Sequence, residues 1–107
     1  MPTGGRCRNE AVIVAVFANH PGRACCDFND LREGGVRINR RDRVPTVPVR
    51  GLGAPAFAVV VRGKPHAVYV LHRDRVLVVR DHQGRWQYPR TALVDLARIA
   101  LTRLKRS

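Results

Sequence analysis

The residues of this chain best suited to acid–base chemistry are His66 and Asp81, which bracket two short apolar runs separated by Arg73-Asp74. If Arg73 and Asp74 form a two-residue turn, Val70 faces Leu77, Val68 faces Val79, and His66 faces Asp81. Directly opposed residues have Cβ atoms roughly 4.5 to 5.5 Å apart, close enough for a carboxylate to fix one imidazole tautomer and raise its basicity. A slip of one residue sets His66 against His82 instead. Without a third group the pair reads as an ordinary cross-strand ion pair. Cys7 is the residue type that would complete a nucleophile, base and orienter set with His66 and Asp81.

A second kind of chemistry comes from arginine. The chain holds 20 Lys plus Arg against 8 Asp plus Glu, a formal charge of +12, and only Lys64 and Lys105 are lysines. A GC-rich genome would explain part of the arginine in place of lysine, but not the shortage of acids. A surface this positive attracts polyanions, and phosphate is the commonest of these in a cell. The arginines group as Arg37, Arg40, Arg41, Arg43 and Arg50 in a central tract, Arg73 and Arg75 at the hairpin tip, and Arg80, Arg85 and Arg90 around Trp86. Their guanidinium forks fit phosphate oxygens in pairs, and Trp86 or Tyr88 could stack a base. Such contacts follow the backbone of RNA or DNA and carry no base sequence. An acidic protein surface is the other partner this charge fits.

The elements that must position these residues follow from the apolar pattern. Ala11 to Ala18 is a continuous β-branched run closed by Asn-His-Pro-Gly, which predicts a buried strand. Asp27 to Glu33 opens on an N-cap residue and stops at Gly34-Gly35, as a short connecting helix does. Val36 to Arg40 alternates like a half-exposed strand, and the Arg- and Pro-rich stretch from Arg40 to Pro55 reads as an extended basic loop. Phe57 to Arg62, Ala67 to His72 and Val76 to Asp81 are closely spaced and predict an antiparallel meander. Gln83-Gly84 suits a further turn and Trp86 to Tyr88 a further short strand. From an N-cap at Thr91, Leu93, Leu96, Ala97, Ala100, Leu101 and Leu104 line one side of a helix, opposite Asp95, Arg98, Thr102, Lys105 and Arg106. The expected fold is α+β, one domain over residues 1–107, with an antiparallel sheet of about four or five strands under a C-terminal amphipathic helix.

Cys7, Cys25 and Cys26 are odd in number and vicinal cysteines rarely bridge, which argues against a disulfide scaffold. His20, Cys25, Cys26 and Cys7 lack paired Cys-x-x-Cys spacing, so no metal is expected, and no glycine-rich nucleotide loop calls for a cofactor. No apolar run approaches the ~20 residues of a membrane span, and the opening residues lack a signal-peptide core. The expected setting is the cytoplasm of a bacterium or of a virus-infected cell.

The order Cys7 with its apolar run to Phe17, then Gly-Lys-Pro-His66-Ala-Val-Tyr-Val, then Val-Leu-Val-Val-Arg-Asp81-His-Gln-Gly resembles that of papain-like peptidase domains that trim bacteriocin leaders. That resemblance implies a thiol hydrolase with Cys7 as nucleophile, His66 as base and Asp81 as orienter. The glutamine that precedes the cysteine in that family has no counterpart among Met1 to Arg6. The second half, with Gly63-Lys64-Pro65-His66, His82-Gln83-Gly84 and the helix from Thr91, also resembles HicA-type ribonuclease toxins. This implies a double-stranded-RNA-binding-like fold and His66 as acid or base. The leading expectation is a basic protein that binds nucleic acid without catalysis; thiol hydrolase, ribonuclease and acidic-protein adaptor are the alternatives.

Overall fold

A computed structural model describes residues 12–23, 25–37, 43–61, 63–81 and 90–106. The three apolar runs of the second half fold as strands β5 (Ala56–Val61), β6 (Lys64–His72) and β7 (Arg75–Asp81). They are joined in sequence, each antiparallel to the last. The meander is extended at both ends, by β1 (Val12–Ala18) beside β7 and by β4 (Thr46–Pro48) beside β5. The five strands run in the order β1-β7-β6-β5-β4. A separate two-stranded ladder pairs β2 (Val36–Arg37) with β3 (Arg43–Val44). The fold is α+β: this antiparallel sheet and a C-terminal helix.

The β6–β7 register is the one a two-residue Arg73-Asp74 turn dictates, with Val70 opposite Leu77 and Val68 opposite Val79. Arg73 takes a positive φ of 56° to close the turn. At the other hairpin, Gly63 (φ 79°) turns the chain so tightly that Lys64 and Pro65 already belong to β6. The separator expected over Gly63 to Pro65 is therefore shorter, because the left-handed glycine reverses the chain within the first positions.

Because strand side chains alternate, the sheet has two distinct inner faces. Ala56, Ala58, Val68, Val70, Leu77 and Val79 turn toward helix α2 (Arg90–Arg106), which sets Leu93, Ala97 and Leu101 upon them. Thr91 lies inside the first turn of α2 instead of capping it. Leu96, expected on the covered side, stays 36% exposed, since the buried stripe runs through Leu93, Ala97 and Leu101.

Phe57, Val59, Ala67, Val76 and Val78 turn the other way, toward helix α1 (Phe28–Gly34) and the β2–β3 ladder. Asp27 caps α1 by accepting from Asn29 N at 3.1 Å, and it accepts from Gly22 N at 2.9 Å. These N–H donors, Gly22 foremost, hold its carboxyl below the usual aspartate value. Phe28 N donates to Asn19 Oδ1 at 2.7 Å, tying the helix start to the end of β1. The helix ends where Gly35 adopts φ 87° and its N–H reaches Leu31 O; a Cβ there would come within 2.9 Å of Val44 O. Expected as a connector, α1 is a core element: Phe28 is fully buried with its ring centroid 5.0 Å from that of Phe57.

Two further expectations change. The run from Ala11 was read as a buried strand, yet β1 is an edge strand with Val14 53% and Val16 46% exposed. Continuous hydrophobicity marks a strand but not its neighbours, and among the described strands β7 is the one that pairs it. The basic loop from Arg40 to Pro55 contains β3 and β4, and it is Pro48 that suits β4 to a sheet edge. Of the half-exposed strand expected over Val36 to Arg40, Val36–Arg37 forms β2; residues 38–40 lie outside the described ones, as do the Gln83-Gly84 turn and the Trp86 to Tyr88 strand.

Candidate nucleic-acid interface

On the α1 side the short helix and the two-residue strands leave part of the sheet face open. Phe17 from β1, Tyr69 from β6, Leu31 from α1 and Val36 from β2 wall a cavity of about 410 Å³, which Cys25, Gly35, Arg37 and Arg43 also line. The antiparallel ladder places Arg37 directly opposite Arg43, so two exposed guanidinium groups share one rim. Arg43 Nη1 reaches back to the Gly34 carbonyl at 3.5 Å. Among the described lining residues there is no carboxylate.

Tyr69 is the most constrained polar residue here. Phe57 stacks against it with centroids 4.8 Å apart and planes 10° from parallel. Burial raises the phenol above its ordinary pKa, while the nearby Arg80 guanidinium pulls the other way and does not offset it. The hydroxyl therefore stays protonated, able to donate and to accept. Arg80 shares this face because it follows Val76 and Val78 at two-residue steps along β7.

The expected arginines thus separate. Arg37, Arg43 and Arg80 lie on the α1 side, whereas Arg73 and Arg75 stand at the β6–β7 tip around a smaller cavity of about 300 Å³ that also includes Asp74. Arg50 is exposed beyond β4. Arg40, Arg41, Arg85 and Trp86 lie outside the described residues, as does the side chain of Arg90. Sequence reading passed over Tyr69 and Phe17 because both sit inside apolar runs. The signal was parity: Tyr69 alternates with Val68 and Val70, and so faces away from the core those two build.

For the proposed hydrolase set, Cys7 and the side chain of Asp81 lie outside the described residues. His66 is partly buried in β6 at a β-bulge: Val59 pairs with Ala67 but Val60 with Pro65, so His66 is the extra residue. The β6–β7 ladder ends at Ala67 opposite Arg80, one step before His66, and Asp81 pairs with Val12 on its other side.

Cys25 and Cys26, expected to stay apart, are joined by a vicinal disulfide in the turn before α1. The turn brings this about locally: His20 N donates to Cys26 O, and Cys26 N donates to Arg23 O, folding the segment tightly upon itself. Cys25 reaches the wall of the larger cavity. Among the described residues no three His, Cys, Asp or Glu side chains gather as a metal site, and no helix is long and apolar enough to cross a membrane.

Comparison of the chain with protein-family models, curated proteins and solved structures yields no match.

Proposed function

We propose that this protein binds nucleic acid through arginine–phosphate contacts made on the α1 side of the sheet, without catalysing a reaction. The observation that carries the reading is the opposed pair of exposed arginines, Arg37 and Arg43, on the rim of one cavity. Two guanidinium groups side by side on one rim match the paired oxygens of an anion such as phosphate, and Arg80 adds a third positive charge on the same face. The net charge of +12 brings polyanions to the whole surface.

The test is a fluorescence-anisotropy titration with labelled single- and double-stranded RNA and DNA at about 50 and about 200 mM salt. Neutralising three phosphates on a single strand corresponds to a loss of roughly 20-fold in affinity across that change. Binding that is absent at low salt, or present without salt dependence, would sink the proposal. An acidic protein would then become the partner to seek.

A further inference from the structure

The cavity rimmed by Arg37 and Arg43 contains more than a phosphate site needs. A bare phosphate is satisfied by guanidinium groups and backbone N–H donors, yet four of the residues walling this cavity are Phe17, Leu31, Val36 and Tyr69. Its volume of about 410 Å³ falls within the roughly 300 to 1,000 Å³ usual for small-ligand sites. Phe57 holds one face of the Tyr69 ring at 4.8 Å, so the ring is fixed in place and the surface it offers the cavity is what Phe57 leaves uncovered. A flat, apolar ring carrying a phosphate matches this combination of an aromatic wall, an aliphatic wall and a rim of two arginines.

Resting on the nucleic-acid reading above, we propose that the cavity receives one nucleotide unit, its base against Tyr69 and Phe17 and its phosphate on Arg37 and Arg43. A base enters such a site only when it is free of its duplex partner and neighbours, so the preferred polymer is single-stranded. Tyr69 supplies the stacking surface. The same chemistry is present in a free mononucleotide, which is the second source to distinguish.

The experiment compares three ligands of about 12 nucleotides with the intact protein: a single strand, its duplex, and an abasic sugar–phosphate strand of equal length and charge. Titration with a nucleoside monophosphate, followed by calorimetry, runs beside them. The single strand is expected to bind about tenfold or more tightly than the abasic strand, since stacking acts on the base and not on the phosphates. Tyr69→Leu should bring the intact strand down toward the abasic one, and Arg37→Ala with Arg43→Ala should weaken both. If Tyr69→Leu does not fold, the comparison of intact and abasic strands on the unmodified protein still decides.

Equal affinity for the two strands would overturn the nucleotide site and leave phosphate binding standing. Saturable binding of the monophosphate with no binding of any strand would keep the nucleotide site and overturn the nucleic-acid reading. Absence of binding by every ligand would overturn both.

Discussion

On one face of the sheet a 17-residue helix lays Leu93, Ala97 and Leu101 over a continuous bed of small and branched side chains. On the other, a 7-residue helix and two strands of 2 residues each press Phe28, Leu31, Val36 and Val44 against Phe57 and Val76. The long helix covers its face with aliphatic groups alone, and what it leaves open toward β1 is an apolar groove among Val14, Val16, Leu96 and Ile99. The short elements bury aromatic rings, and beside them lies the cavity walled by Phe17 and Tyr69. That opening is bordered by arginine. One face of the sheet thus opens in an apolar groove and the other in a cavity rimmed by arginine.

The largest effects should come from the cores. Phe57→Ala is expected to cost about 3–5 kcal/mol, because the ring is fully buried and supports both Phe28 and Tyr69. Leu93→Ala on the opposite face should cost about 2–5 kcal/mol. Denaturant unfolding measures both, and the contrast lies in the folded fraction: Leu93→Ala should leave nucleic-acid affinity unchanged, whereas Phe57→Ala should weaken it by freeing Tyr69. Equal effects on affinity would mean the two faces are not functionally distinct.

Next come the rim charges. Arg37→Ala and Arg43→Ala should each lower the slope of log affinity against log salt by slightly under 1, while Arg98→Ala on the exposed side of α2 should leave it unchanged. Arg98 forms a solvent-exposed ion pair with Asp95 at 2.9 Å, and its loss should change stability by no more than about 0.5 kcal/mol.

Proton linkage sharpens the comparison because Tyr69 and Asp27, both with shifted pKa, lie on the α1 side. The Tyr69 phenol is raised in the folded state, so the unfolded chain ionises first; stability is fully present below about pH 10 and falls as pH rises beyond it. Tyr69→Phe should flatten that alkaline limb in denaturant unfolding measured across pH. Asp27 is lowered, so its contribution is present above the ordinary carboxylate value and is lost as pH falls through the folded one. Asp27→Asn should reduce the acid-side slope slightly.

The smallest effect belongs to the hairpin tip. Arg73 holds a positive φ of 56°, a conformation glycine adopts without penalty, so Arg73→Gly should raise stability by at most about 1 kcal/mol in thermal unfolding. A loss instead would mean that the arginine side chain contributes more at the tip than its backbone costs.

Much of this architecture was legible locally. The meander, its β6–β7 register, the Asp27 cap, the glycine stop of α1 and the amphipathic stripe of α2 depend on alternation, turn length and capping, and these act between residues near in sequence. The apolar run at Val12 declared a strand, but only its placement beside β7 made it an edge. Likewise Phe28 and Leu31 looked like parts of a connector until α1 met the sheet. The cavity belongs wholly to tertiary structure: Phe17, Leu31, Val36 and Tyr69 are scattered along the chain, and strand order together with side-chain parity is what makes them neighbours of Arg37 and Arg43. The arginine excess could be counted in the sequence. Which arginines share a face depends on how distant strands pair, and local propensity carries no information about that.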